Sequence, residues 1–239
     1  MSRLRLLHKH DALIILKYSL SLPSLLHNLR SAYCWDNQKL VDFDAELRVR
    51  LKKIMNVALE EDQWVQATLP VKDGGLGLRR TCQVAPSTVL ASAFGSSTLI
   101  SAILPNTHIS TMDPLMNTAL VQWSSMAGTS LPATGTSAGV QRNWDRPIIT
   151  ATKDVLFTAT TDDYSRARLL AVTAPQASDW LNAPPLTAVG LRMPDETIRV
   201  AVGLRLGSKL CAPHICPCGQ QSTLRGHMVC PARKSWGIN

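Results

Sequence analysis

The sequence predicts a mainly α-helical fold with one small β-hairpin and a short zinc-knuckle-like tail, and three observations carry that expectation. Apolar residues recur at helical spacing from Leu40 through Phe43, Leu47, Leu51, Ile54, Met55 and Ala58. The pair Gly74-Gly75 lies between the apolar runs Trp64–Leu69 and Leu76–Arg79, the pattern of a hairpin turn. Four of the six cysteines fall between Cys211 and Cys230, with two histidines among them.

The elements follow in chain order. Asp11 can cap a helix over residues 12–20 that Pro23 must break, and Ser24 opens a second short helix over 25–30. The 40–58 helix has ordered charges: Asp42, Asp44 and Glu46 precede Arg48, Arg50, Lys52 and Lys53, each group complementing the nearer end of the macrodipole. After the hairpin, Pro86 and Ser87 start a helix that continues past Gly95 to Leu104. Further helices are expected over 115–123, 153–159 and 164–172, the last behind the Asp162-Asp163 cap. Pro194 followed by Asp195 and Glu196 marks a final helix start, with Ile198, Ala201, Val202, Arg205 and Leu206 at helical spacing. The predicted organisation is helices over 1–60, hairpin and helices over 61–124, a flexible Ser/Thr/Gly/Pro linker over 125–147, helices over 148–210, and a basic tail over 211–239.

The tail suggests a metal. Cys216, Cys218, His227 and Cys230 are thiolate and imidazole ligands at knuckle-like spacing, and Zn²⁺ prefers four such donors in a tetrahedron. Cys211 and His214 lie near enough to replace one of them, and reduced, unpaired cysteines or two disulfides are the other readings. Residues 1–20 show no apolar core of signal-peptide length, and Ala12–Leu16 is far short of a membrane span. An intracellular location without a transmembrane segment is expected, which favours metal over disulfide.

Charge points to a partner. The net charge of +8 is segregated: residues 1–80 carry +4, residues 81–189 carry −1 and residues 190–239 carry +5. Arg199, Arg205, Lys209, Arg225, Arg233 and Lys234 are the candidate contacts to a polyanion, and RNA or single-stranded DNA is the expected partner. The alternative class is a structural or protein-interaction module in which zinc only staples the tail. A nucleophilic enzyme could be drawn only from Cys82 and His108, whose spacing supports nothing.

Several blocks together carry a family resemblance. Leu69-Pro70-Val71-Lys72-Asp73-Gly74-Gly75-Leu76-Gly77-Leu78-Arg79, Ala85-Pro86-Ser87, Asp179–Pro185, Ala188–Arg192, Arg199–Gly207 and Cys216-Pro217-Cys218-Gly219, in that order, resemble the region downstream of the polymerase in non-LTR retrotransposon reverse transcriptases. The resemblance implies that residues 1–60 correspond to the helical thumb side of an RNA-directed DNA polymerase, that the tail assists nucleic-acid binding, and that other parts of such a polymerase are partners. Reverse transcription needs a carboxylate constellation to hold two Mg²⁺ ions. The one Asp-Asp pair, Asp162-Asp163, reads as a helix cap, so a non-catalytic fragment is expected.

Overall fold

The computed structural model describes residues 2–104, 114–129, 136–210, 214–215 and 221–222. A 3-10 turn over Ser2–Leu6 leads into α1 (Lys9–Ile15), which runs on through a π-helical turn, Leu16–Leu20. Asp11 lies in the first turn of α1 and His8 takes the cap position. After α2 (Leu26–Ser31) comes α3 (Gln38–Met55), opened by Asn37, whose side chain accepts from the Lys39 N–H at 2.9 Å, and closed by Asn56 in the left-handed region. Its buried stripe is Leu40, Asp44, Leu47, Leu51, Ile54 and Met55.

The hairpin expected around Gly74-Gly75 does not form. Glu61–Thr68 is a helix, α4, followed by a 3-10 turn over Val71–Asp73. Residues read as a strand are helical because Glu60 starts the helix, donating its N–H to Gln63 Oε1 at 3.0 Å, while Glu61 and Asp62 oppose the positive end of the dipole. Gly74 (φ 92°) and Gly75 turn the chain back across the end of α4, where the N–H groups of Leu76 and Gly77 satisfy the carbonyls of Ala67 and Leu69. A Cβ on Gly75 would lie 2.0 Å from the Leu69 carbonyl oxygen, so only glycine fits. The sole strand pairing among the described residues is a two-residue antiparallel one, His214–Ile215 with Gln221–Ser222.

α5 (Thr81–Ile103) begins five residues earlier than Pro86 suggests. Asp44, buried on α3, supplies the cap from across the fold: Oδ1 accepts from the Thr81 N–H and hydroxyl, both at 2.8 Å, and Oδ2 from the Cys82 N–H at 3.1 Å. By length and composition α5 could cross a membrane, and its first half is packed inside the molecule. α6 (Pro114–Ala127) and α7 (Gln141–Ala159) follow. Residues 141–147 of the expected linker are thus helical, with Trp144 buried. α8 (Asp163–Thr173) is capped by Asp162, which accepts from Ser165 N–H at 2.8 Å. α9 (Asp195–Leu206) ends at Gly207 in the left-handed region.

Two cores result. The first joins Leu4, Leu13, Leu16, Leu47, Leu51, Trp64, Leu76 and Leu78 to Leu181, Ile198, Val202 and Leu206. The second, drawn from residues 29–40 and 85–148, centres on Trp123 and Trp144, packed edge to face at 5.2 Å, with Trp123 Nε1 donating to the Trp144 carbonyl at 2.9 Å. A small third cluster of Leu69, Ile149, Leu156 and Leu169 bridges them, as does buried Asp73, which accepts from Arg146 at 3.1 Å and Lys153 at 3.4 Å on α7.

Candidate nucleic-acid interface

α9, which leads into the basic tail, packs on α1, α3 and α4, so residues 4–20, 43–78 and 181–210 share the first core. Residues 22–40 pack with residues 82–148 in the second.

The end of α9 is held by side chains from elsewhere in the chain. Gln66 Nε2 donates to the Arg205 carbonyl at 2.9 Å, and Arg168 on α8 donates to the same oxygen. Gln63 Nε2 donates to the Gly207 carbonyl at 3.1 Å. These donors satisfy carbonyls left open at the helix terminus, and the Arg168 cation complements its negative end. Beyond Gly207 the chain folds back along α9. Leu210 packs against Gly203, where a Cβ would meet its side chain at 2.1 Å, and Arg199 donates to the Leu210 carbonyl at 3.2 Å.

The structure divides the six predicted contacts. Lys209 is exposed, with its ammonium 4.0 Å from Glu60. Arg199 is partly buried and engaged by Glu196 at 2.7 Å. Arg205 is not on an exposed face: only 4% of it is accessible, and its guanidinium donates to the Gly75 carbonyl (3.1 Å), the Val71 carbonyl (2.8 Å) and Ser178 Oγ (2.8 Å). Burial lowers its pKa to about 10, which leaves it charged at neutral pH, and its task is to fasten α9 to the Gly-Gly turn. Helical spacing placed Arg205 beside Ala201 and Val202 without showing that the turn's carbonyls would cover it. Arg225, Arg233 and Lys234 lie outside the described residues.

Other cations of the same lobe are exposed and were not singled out as contacts by the sequence: Arg3, Arg5, Lys52 and Lys53. The +4 of residues 1–80 was the signal that could have found them. Several neighbours are already neutralised, Arg48 by Glu61, Arg50 by Glu46 and Arg192 by Asp11. At the first helix the Lys9 backbone N–H donates to Asp195 Oδ1 at 2.9 Å and holds that carboxyl below its ordinary range. His10 is buried, accepts the Met193 N–H on Nδ1 at 3.2 Å, and is pushed by desolvation below the usual 6.5.

The zinc expectation is corrected. Among the described residues no group of three or more His, Cys, Asp or Glu side chains is placed to hold a metal ion, and Cys216, Cys218, His227 and Cys230 lie outside the described residues. Of the nominated nucleophilic pair, His108 also lies outside them, and Cys82 is a thiol whose pKa burial raises to about 11, the opposite of activation. Comparisons with family models, curated proteins and solved structures give no match, so the reverse-transcriptase, retrotransposon and zinc-knuckle labels read from the sequence find no support there.

Proposed function

We propose that this chain binds RNA or single-stranded DNA through the exposed cations of its first lobe and the basic segment that leaves it, with no catalysis of its own. The observation that carries this reading is the packing of α9, which leads into the basic tail, on α1, α3 and α4, in the lobe that carries the exposed cations Arg3, Arg5, Lys52, Lys53 and Lys209. A like-charged surface of this kind raises the local potential and draws in a polyanion. The resemblance of the ordered blocks to the post-polymerase region of retroelement reverse transcriptases favours the same partner class, an intracellular setting and association with other parts of such a polymerase. Two of those blocks are physically one unit, since Arg205 of the second grips Val71 and Gly75 of the first.

The test is a titration of the full chain with labelled single-stranded RNA at rising salt. Binding that weakens steeply, with a further loss on charge reversal of Arg225, Arg233 and Lys234, supports the proposal. Absence of binding at low salt contradicts it. A protein-interaction role is the second reading, favoured by the exposed apolar residues Leu186, Val189, Leu191, Val200 and Leu204 on and beside α9. It predicts the converse, a chain that self-associates or captures a protein and ignores RNA.

A further inference from the structure

A groove of about 330 Å³ opens on the second lobe, between the end of α2 and the outer half of α5, with Met116 of α6 at its edge. Its chemistry is asymmetric. Val89, Phe94, Ile100 and Met116 give it apolar area, and Phe94 is fixed by stacking on Trp144 at 5.5 Å. Ser96, Ser97 and Ser101 add hydroxyls whose protons are already donated to carbonyls one turn back, Ala93 at 3.2 Å, Phe94 at 2.8 Å and Ser97 at 3.0 Å. These three oxygens therefore present lone pairs outward and accept hydrogen bonds. At the rim stand a cation and an aromatic ring. Arg30 is exposed and gives one N–H to Gln141 at 3.3 Å, while Tyr33, half-exposed, is held edge-on against buried Trp35 at 5.3 Å.

We infer that this groove is a binding site for a single nucleotide, its base among the apolar residues and serine oxygens and its phosphate on Arg30. Each part of the ligand has a counterpart on the protein. A base offers a flat face to Tyr33 and Phe94, an exocyclic amine offers protons to the serine oxygens, and a phosphate suits a guanidinium. The volume lies at the lower end of the ~300–1,000 Å³ of small-molecule sites, which suits one unstacked nucleotide and not a duplex. Every base carries an N–H donor, an exocyclic amine in adenine, cytosine and guanine or the ring imide in uracil, so the serine oxygens can accept from any of them and the larger stacking face of a purine favours adenine. The choice of a nucleotide as ligand class rests on the nucleic-acid reading above. The groove lies on the second lobe, away from the cations that carry that reading, so the two can fail separately.

The experiment is a calorimetric titration of the full chain with AMP, with UMP and inorganic phosphate as comparators, run beside the RNA titration. AMP is expected to saturate a single site at least tenfold more tightly than inorganic phosphate, and more tightly than UMP. Arg30→Ala, at an exposed position, and Ser97→Leu, which fills the groove, are each expected to weaken AMP at least tenfold, with thermal melting used to confirm that both variants fold. AMP binding without RNA binding would keep the groove and remove the first-lobe proposal. RNA binding without saturable AMP binding at millimolar concentration would overturn the groove and leave the first-lobe proposal standing. Phosphate competing as well as AMP, or full AMP affinity in both variants, would also overturn it.

Discussion

The two lobes are built from different kinds of sequence. The second takes its core from two stretches, residues 29–40 and 85–148, and is held by apolar packing around a tryptophan pair. The first joins residues 4–16 and 47–78 to residues 181–206, and what clamps its most distant pieces is polar: Arg205, Gln63, Gln66 and Arg168 all bind backbone carbonyls across the seam. A core assembled from local contacts can form early, whereas one that closes a loop of this length must offset the entropy of closure with directional bonds. The same closure seats α9, which leads into the basic tail, on α1, α3 and α4. In this molecule the polar seam and the proposed polyanion surface are two consequences of one packing event.

The largest effect should come from breaking the seam at its turn. Gly75→Ala forces a Cβ to 2.0 Å from the Leu69 carbonyl oxygen and 2.5 Å from that of Gln66, both backbone atoms. A loss of about 4 kcal/mol or more is expected in urea denaturation, enough to unfold a marginal domain. Arg205→Met should cost about 3 kcal/mol, because two carbonyls and the Ser178 hydroxyl lose a buried, charged donor. If Arg205→Met were neutral, the seam would be held by apolar packing alone and the contrast between the lobes would vanish.

Trp123→Phe probes the other side of the comparison. It keeps most of the ring but removes the N–H that satisfies the Trp144 carbonyl, and a loss of about 1–2 kcal/mol is expected with RNA affinity unchanged. The smallest effect is a pH dependence. Desolvation lowers the folded-state pKa of His10 below 6.5, so the unfolded chain takes up the proton first and stability falls as pH drops below 6.5 toward the folded-state value. Urea midpoints at pH 7.5 and 5.5 should differ in that direction, and His10→Gln should narrow the difference.

Legibility in the sequence followed the same division. The stripe of α3 and the helices over residues 114–127, 163–173 and 195–206 were readable because apolar spacing and end signals agreed, as at Asp162 and Pro194. The hairpin was misread because Gly74-Gly75 obeys turn chemistry whether it joins two strands or reverses the chain over a helix end. Asp44 looked like one of three dipole-compensating acids, and only the packing of α3 on α5 reveals it as another helix's cap. Arg205 looked like surface charge for the same reason: its acceptors lie about 130 residues away in the chain. Local pattern shows an element's existence; it does not show which polar groups a distant segment will cover.

The most direct test of the first-lobe surface compares lobes in one assay, the salt dependence of single-stranded RNA binding. The triple variant Lys52→Glu, Lys53→Glu, Lys209→Glu alters first-lobe cations that are exposed, and Arg142→Glu is the matched control on α7 of the second lobe. The account predicts that the triple variant loses affinity and that its slope of log K against log salt shrinks by about 2, at ~0.7 per phosphate contact, while the control keeps both. Equal slopes in the triple variant and the parent chain, or an equal loss in the control, would contradict it.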